Sequence, residues 1–212
     1  MTTLEHVLLG ANGVLAAGLH RKYGWQLVAM TGIAATLPDW DGFSIFGGMT
    51  LFDKIHRAWG HGLLPCMIVS LLFAVTDYRF DLMTRLGRLF VRVTRITINP
   101  DLLIPRVTHS SGACVVWIIA ALLAGLSHLI ADIVFSGHPQ YAHWGIQIFW
   151  PFSNQQIDGT LVPWGDIGVV LIFILGMFAM LRWKSRTQKI ALITLGTVVI
   201  YLAVRGTCFP MS

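Results

Sequence analysis

The sequence predicts an all-α fold: a polytopic membrane helix bundle of about six transmembrane helices, forming a single membrane domain over residues 1–212. Of its residues 55% are hydrophobic and only 12% are charged, and the mean hydropathy of +0.69 lies outside the usual balance of a soluble domain. Short polar clusters divide the apolar residues into stretches of helical length. The three cysteines, Cys66, Cys114 and Cys208, are far apart and indicate neither a disulfide framework nor a thiolate metal site.

Uncharged stretches of helical length predict the positions of the spans. They cover residues 7–20, 24–38, 61–76, 112–135, 166–182 and 189–205. Several of them are shorter than the roughly 20 residues that a helix needs to cross a bilayer, which implies local thinning or mutual packing. The first span carries small residues, including Gly10 and Gly13, that suit close packing inside the bundle. The N-terminus lacks the pattern of a removable signal peptide.

Positive charges predict the orientation. Twelve of the fifteen lysines and arginines lie in three connectors that fall on one side of a six-span bundle. That side is expected to be cytoplasmic, so both termini face outward in a bacterial or archaeal inner membrane. Tryptophans, whose amphipathic rings prefer the interface, cluster near the opposite, outer side. They are Trp40, Trp59, Trp144, Trp150 and Trp164.

Seven side chains that suit metal coordination lie beside or inside the apolar stretches, at the outer ends of the predicted spans. They are His6, Asp39, Asp41, His56, His61, His128 and Asp132. An ionisable group at membrane depth costs several kcal/mol unless it is paired or bound. A metal site is therefore the first hypothesis.

The most specific local motif is the pair His128 and Asp132 on a predicted helix. Residues four apart share one helical face, with Cβ atoms about 5–6 Å apart, so an imidazole nitrogen and a carboxylate oxygen can reach one ion. The alternative is a hydrogen bond that seals two polar residues inside the bundle. The pair alone does not decide between them.

A second motif, Pro38-Asp39-Trp40-Asp41, ends the second span. Proline helps to end the helix, and two aspartates two residues apart in extended backbone point to the same side, where they can bridge cations. The alternative is a polar turn in which both carboxylates are solvated.

His56 and His61 form the third motif, with Arg57 and Gly60 between them. Five residues on a regular helix correspond to about 140°, so both histidines face one site only if the backbone turns, which glycine permits. Arg57 would then lie beside the metal ions, where its planar guanidinium suits a phosphate or carboxylate oxyanion. The alternative partner for Arg57 is lipid phosphate.

Four further outer-side groups stay open as members of the site. They are His138, His143, Asp158 and Asp166. The two histidines fall in a polar loop, where surface exposure is the ordinary explanation. Asp166 equally suits the cap of the fifth predicted helix.

Four short motifs occur in a fixed order along the chain: Leu4-Glu5-His6, Pro38-Asp39-Trp40-Asp41, His56-Arg57-x-x-Gly60-His61, and Ser127-His128-x-x-x-Asp132 followed by residues 144–152. This series resembles the YdjM-like family of membrane-bound, predicted metal-dependent hydrolases, over about residues 1–155. The last two spans, within about 166–205, match only in being apolar. Family members commonly carry His-Arg-x-x-Thr-His-Ser, where this chain has Gly60 and Gly62. The ligand pattern is also similar, more weakly, to that of zinc-dependent phospholipase C.

Four histidines and three aspartates suit a divalent transition metal, zinc above all, with manganese or iron as alternatives. Seven ligands exceed the four of one tetrahedral ion, so two ions are favoured. Two ions would activate water and hold the reacting oxygens, with Asp41 as base and Arg57 stabilising phosphoryl charge. The expected function is a membrane-embedded phosphoesterase acting on a lipid or lipid-linked substrate at the outer leaflet.

Two other classes of function stay open. One is a metal-stabilised structural or regulatory membrane protein without catalysis; the other is a cation or proton transporter, since intramembrane histidines and aspartates also serve as relays. No inverted repeat supports the transporter. The arginine-rich connector, residues 77–111, has an apolar helical stripe between its charges, so we expect an amphipathic helix on anionic lipid and no nucleic-acid binding.

Overall fold

A computed structural model gives the architecture and describes residues 1–98, 103–105, 109–135, 145–159 and 161–208. The α-helices are α1 (Thr3–Ala16), α2 (His20–Ala34), α3 (Met49–Ile55), α4 (Leu63–Phe80), α5 (Leu82–Thr94), α6 (Ser111–Val134), α7 (Ile167–Arg182) and α8 (Thr187–Cys208). A 3-10 helix, Leu37–Gly47, connects α2 to α3. The described residues contain no β-strand beyond one isolated bridge between Ile146 and Ile157. The all-α prediction is confirmed.

Within the described residues, three helical segments are long and apolar enough to cross a membrane. They are Leu63–Phe80, Ser111–Val134 and Lys184–Cys208. The other three predicted spans correspond to shorter helices: α1 has 14 residues, α2 has 15 and α7 has 16. At 1.5 Å per residue α1 extends only about 21 Å, against a hydrocarbon core of roughly 30 Å. The chain is a membrane protein, and the count of six spans stays a prediction.

Helix α1 begins four residues before the predicted span because a capping box fixes its first turn. The Thr2 hydroxyl accepts a hydrogen bond from the Glu5 amide (3.4 Å), and the Glu5 carboxylate accepts one from the Thr2 amide (2.6 Å). The helix ends at Ala16, shortly before Gly18, whose φ of +72° no ordinary helix accommodates. This start places His6 in the first turn of α1.

Helix α1 lies inside the bundle, in contact with α2, α6, α7 and α8. A Cβ atom at Gly10 would collide with the Thr31 carbonyl and the Ala35 methyl group of α2, so the two backbones approach too closely for a larger residue. The predicted close packing is confirmed at Gly10, whereas a Cβ atom at Gly13 would meet open space. Because successive helices run in alternating directions, the N-terminal ends of α1 and α4 meet the C-terminal ends of α2 and α6. We call this the ligand end.

The predicted amphipathic helix in the basic connector is confirmed as α5. Apolar side chains on it remain exposed, among them Phe90 (59%) and Val93 (72%). Its start is fixed by the buried Asp77 carboxylate, which accepts hydrogen bonds from the Met83 amide (2.8 Å) and the Trp117 indole (2.7 Å). The helix therefore presents an unburied apolar and basic surface at the end opposite to the ligand end.

Replacing Arg85, Arg88 and Arg92 together with glutamine is expected to detach α5 from anionic lipid. Each arginine near an anionic surface contributes about 1 kcal/mol, so the three contribute about 3 kcal/mol. An environment-sensitive fluorophore on Phe90→Cys should shift to the blue in vesicles containing phosphatidylglycerol and lose that shift in the triple variant. The expectation would be contradicted if the emission in phosphatidylcholine vesicles equalled that in phosphatidylglycerol vesicles, both with and without the arginines.

Candidate metal centre

The structure brings all seven predicted ligands together at the ligand end. They form three overlapping groups, and within each group the donor atoms lie within 4.8 Å of one another. The groups are His6, Asp39 and His128; Asp41, His56 and His61; and His61, His128 and Asp132. Most of these side chains are buried, whereas Asp39 keeps 28% of its side chain exposed. The predicted convergence of the motifs is therefore present in the fold.

Four donor atoms lie close together, and the five separations that involve a histidine nitrogen suit a tetrahedral metal site. His61 Nε2 lies 3.2 Å from His128 Nε2, 3.6 Å from Asp39 Oδ1 and 3.3 Å from Asp132 Oδ2. His128 Nε2 lies 3.6 Å from Asp39 Oδ1 and 3.7 Å from Asp132 Oδ2. Tetrahedral bonds of 2.0–2.1 Å place neighbouring donors about 3.3–3.4 Å apart. The residues present therefore fit one ion with two nitrogen and two oxygen ligands.

Both histidines of this set are oriented by their second ring nitrogen. His128 Nδ1 is 2.7 Å from the Ala35 carbonyl oxygen, which can only accept, so Nδ1 carries the proton. His61 Nδ1 lies 3.0 Å from Asp41 Oδ2 in the same relation. A proton held at Nδ1 leaves the lone pair of Nε2 directed at the centre of the four donors. Metal-binding histidines are commonly fixed in this way.

The two aspartates of the second motif do not point to the same side. That expectation assumed extended backbone, but Asp39 and Asp41 lie in the 3-10 helix. With three residues per turn, side chains two residues apart point about 240° apart around the axis. Asp39 consequently faces Nε2 of His61, whereas Asp41 lies at Nδ1 of the same ring.

Asp41 has both carboxylate oxygens occupied by hydrogen bonds. Oδ1 pairs with His56 Nδ1 at 2.8 Å, and Oδ2 accepts from the Gly60 amide at 2.8 Å as well as pairing with His61. Burial raises the pKa of Asp41, but the hydrogen bonds from His56 and His61 outweigh it and hold the pKa well below its usual range. Because both oxygens are already engaged, the geometry favours an orienting role for Asp41 over the predicted role as base.

In contrast to Asp41, the neighbouring Asp39 and His61 both have a raised pKa. Burial raises the pKa of Asp39. Burial alone lowers the pKa of His61, but the carboxylates of Asp132 and Asp41 raise it to about 9. The site therefore concentrates negative charge around the His61 ring, which is the environment that a bound cation requires.

Replacing Asp41 with asparagine is expected to weaken metal binding about 10- to 100-fold, because loss of an outer carboxylate partner misorients the ligand histidine. Competition with a fluorescent chelator measures the affinity. Asp53→Asn is the matched control, since Asp53 is a nearby exposed carboxylate outside the three donor groups. Equal affinities for the two variants would contradict the orienting role.

The backbone turns throughout residues 56–61, Gly60 included, and the residue in the left-handed conformation is Arg57. Arg57 has φ +64°, a left-handed conformation that costs a non-glycine residue about 1–3 kcal/mol. Gly60 is required for a different reason: a Cβ atom there would collide with the Pro38 carbonyl oxygen. A Cβ at Gly62 would lie 2.8 Å from the Trp150 carbonyl oxygen. These glycines, which depart from the family pattern, are thus points of close backbone approach.

Arg57 lies beside the metal centre, as predicted. Only 3% of the residue is exposed, and a terminal guanidinium nitrogen lies 3.4 Å from Asp132 Oδ2. Its carbonyl oxygen accepts a hydrogen bond from the Gln147 amide at 2.9 Å. The strained residue is therefore held on both its side chain and its backbone.

His6 lies next to the four-donor set. Its Nε2 is 3.1 Å from Asp132 Oδ1, and its ring stacks on that of His128 with centroids 3.7 Å apart. The Met1 amino group donates to the same Asp132 oxygen at 2.8 Å. Sequence reasoning missed the contributions of this amino group, the Ala35 carbonyl and the Gly60 amide, because backbone groups leave no signal in residue type.

A cavity of about 590 Å³ adjoins the metal centre. Its wall includes two members of the four-donor set, Asp39 and Asp132, together with His56 and Arg57. Phe52 and Trp164 add an apolar portion. A ligand in this cavity would therefore meet two carboxylates that could hold a metal ion, an imidazole and a guanidinium at once.

Asp166 caps α7 and belongs to none of the three donor groups. Its Oδ1 accepts hydrogen bonds from the Gly168 amide (2.9 Å) and the Tyr201 hydroxyl (2.6 Å), and Oδ2 lies 3.5 Å from Arg205 Nε. Asp158 belongs to none of the three donor groups. His138 and His143 lie outside the described residues.

Comparison with known proteins gives a family and no closer relative. No curated protein and no solved structure matches the chain. The model of the YdjM inner membrane protein family matches residues 1–209, and so extends through both C-terminal helices, beyond the part on which the resemblance in sequence motifs rested. The chain therefore belongs to the YdjM inner membrane protein family.

Proposed function

We propose that this protein is a metal-dependent hydrolase, a phosphoesterase that acts on a lipid or lipid-linked substrate at the outer leaflet of the inner membrane. One observation carries the proposal. Four donor atoms that suit one metal ion lie together, and the two from Asp39 and Asp132 line a cavity whose wall also contains the buried guanidinium of Arg57 and the imidazole of His56.

The four-donor set, His61, His128, Asp39 and Asp132, would hold the ion, and zinc suits two nitrogens and two oxygens. A bound divalent ion supplies Lewis acidity toward a phosphoryl oxygen and lowers the pKa of water. Asp41, His56 and His61 form a second group of donors that could hold an ion. The two-ion site stays a prediction.

Arg57 is proposed to stabilise negative charge that develops on the phosphoryl oxygens. Its guanidinium is buried beside Asp132 and forms part of the cavity wall, so it needs no large movement to meet a phosphate. A preorganised donor in a site of low dielectric constant is more effective than the same donor in water. The strained backbone at Arg57 is consistent with a residue positioned for function.

His56 is proposed to transfer protons. Nδ1 of His56 pairs with Asp41, which orients the ring, and the residue lines the cavity. An imidazole held by a buried carboxylate is the usual arrangement for general acid–base catalysis. This assigns the base to His56, with Asp41 as its positioning residue.

The experiment combines metal analysis with a substrate panel. Purified protein in lipid nanodiscs is loaded with zinc, manganese or iron, and its metal content is measured by mass spectrometry. It is then incubated with phosphatidic acid, phosphatidylglycerol, a polyprenyl pyrophosphate and bis-p-nitrophenyl phosphate, and released products are quantified. Stoichiometric metal with metal-dependent hydrolysis supports the proposal; absence of bound transition metal refutes it.

The closed geometry of the four-donor set favours a second candidate, a metal centre that only stabilises the helix bundle. Structural zinc sites have four protein ligands, whereas catalytic sites usually keep an open position. The set ties the 3-10 helix to α6 and to the segment that precedes α4. A metal-stripped protein that melts much lower, combined with no hydrolysis of the panel, would favour this candidate.

A further inference from the structure

An uncharged segment lies between the second and third ligand motifs. Residues 42–52 read Gly-Phe-Ser-Ile-Phe-Gly-Gly-Met-Thr-Leu-Phe, eleven residues without an ionisable side chain. The segment follows Asp41 directly and ends four residues before His56. None of its side chains belongs to the donor groups. Its composition therefore calls for an explanation other than metal binding.

The apolar side chains of this segment point outward. Phe46 is 86% exposed, Phe43 is 71% exposed and Met49 is 53% exposed. The two phenylalanine rings stack on each other, with centroids 6.4 Å apart and planes 12° apart. A contiguous exposed apolar surface of this kind marks a site of contact with a membrane or a partner.

The backbone of the segment satisfies its own hydrogen bonds around Gly48. The Gly48 amide donates to the Ile45 carbonyl (3.0 Å), and the Gly48 carbonyl accepts from Leu51 (3.1 Å) and Phe52 (3.0 Å). Gly48, at φ +100°, joins the 3-10 helix to α3. Internal pairing of this kind is the condition under which backbone can enter hydrocarbon.

The segment is continuous with surfaces that suit contact with lipid. The 3-10 helix packs against α4 and α6, both of which are long and apolar enough to span the bilayer. Trp40, at the start of the 3-10 helix, lies 6.5 Å from Trp59, which stacks on Trp150 at 5.7 Å. Clustered tryptophans prefer the boundary between headgroups and hydrocarbon. This cluster places the segment beside that boundary.

We propose that residues 42–52 form a membrane-dipping element that enters the hydrocarbon edge of the leaflet at the ligand end. Gly42 and Phe52, the two ends of the element, line the cavity beside the metal centre. The cavity consequently opens at headgroup level, and a lipid in contact with Phe43 and Phe46 presents its phosphate to Arg57. The statement about the lipid phosphate rests on the proposed function, whereas insertion of the element does not.

Collision accessibility of a spin label tests the insertion. A nitroxide is attached to Phe46→Cys, and separately to Met49→Cys, in a background with Cys114→Ser and Cys208→Ser. Cys66 is only 2% exposed, and the background without an introduced cysteine measures its residual labelling. Two reference positions bracket the result. One is Leu72→Cys on α4, where Leu72 is 61% exposed and apolar, and the other is Gln155→Cys in an exposed polar loop.

The protein is measured in phosphatidylglycerol proteoliposomes with oxygen, which partitions into lipid, and with chromium(III) oxalate, which stays in water. Both labels are expected to match Leu72→Cys, with high oxygen and low chromium oxalate accessibility. Chromium oxalate accessibility equal to that at Gln155→Cys places the segment in water and overturns the proposal. Low accessibility to both reagents indicates a protein partner or a second copy and also overturns it.

Metal content measured on the same samples separates the two proposals. Labelled protein that keeps its metal but has a water-exposed segment refutes insertion alone. A lipid-embedded segment in a protein that binds no transition metal refutes the hydrolase and leaves insertion standing. An unchanged thermal transition in both labelled variants verifies that each is folded.

Discussion

Replacing His128 with alanine is expected to abolish stoichiometric metal binding. His128 Nε2 lies within 3.7 Å of three other donor atoms, and its Nδ1 is fixed by the Ala35 carbonyl at 2.7 Å. Removal of an outer partner weakens metal binding about 10- to 100-fold, and the loss of affinity in His128→Ala should be larger than that. Metal content after dialysis against a weak chelator measures it.

His109→Ala is the control for this variant, because His109 is an exposed histidine at the opposite end of the bundle. Its metal content should equal that of the parent. A metal-dependent rise in melting temperature, present in the control and absent from His128→Ala, provides a second readout, since a ligand that binds only the folded state stabilises it. Unchanged metal content in His128→Ala would show that the centre does not lie at the four-donor set.

Replacing Arg57 with glutamine is expected to lower kcat about 100- to 1000-fold while metal content stays the same. A buried donor directed at developing charge has an effect of that size. Arg57 contacts Asp132 Oδ2 at 3.4 Å but contributes no metal-binding atom, so the ion can remain. Arg57→Lys should recover part of the rate, because lysine keeps the charge but lacks the planar fork.

Arg205→Gln serves as the comparison, because Arg205 is an arginine of the same end that pairs with Asp166 away from the cavity. Rates are measured on whichever compound of the phosphoester panel is hydrolysed. A variant at Arg57 that loses metal, or that hydrolyses at the parental rate, would remove Arg57 from the catalytic groups. A rise in KM without a change in kcat would instead assign it to binding of the substrate before reaction.

Several local predictions were correct because they depend on spacing within one helix. His128 and Asp132, four residues apart on α6, do lie on one face, with Nε2 and Oδ2 3.7 Å apart. The amphipathic pattern of the basic connector likewise produced α5 over the predicted stripe. Helical periodicity is a property of the local chain, so it can be predicted without knowledge of packing.

The errors came from backbone that is not regular. The sequence suggested extended backbone at Asp39 and Asp41, where the structure has a 3-10 helix, and nothing in it predicted the left-handed backbone at Arg57. Neither is encoded by a strong local preference, since arginine disfavours a positive φ. The 3-10 helix packs against α4 and α6, contacts that local sequence does not specify.

The sequence by itself determined that the chain is an apolar, helical membrane protein and which seven side chains meet at its ligand end. Hydropathy, charge placement and helical spacing are local properties, and they suffice for that. Only the tertiary structure decided which atom of each side chain faces the centre. His128 is oriented by Ala35, 93 residues away, and Asp132 meets His6 across 126 residues. Such contacts arise when helices pack. Tertiary packing therefore decides that four of the side chains are donors, that Asp41 orients a histidine and that His56 lines the cavity.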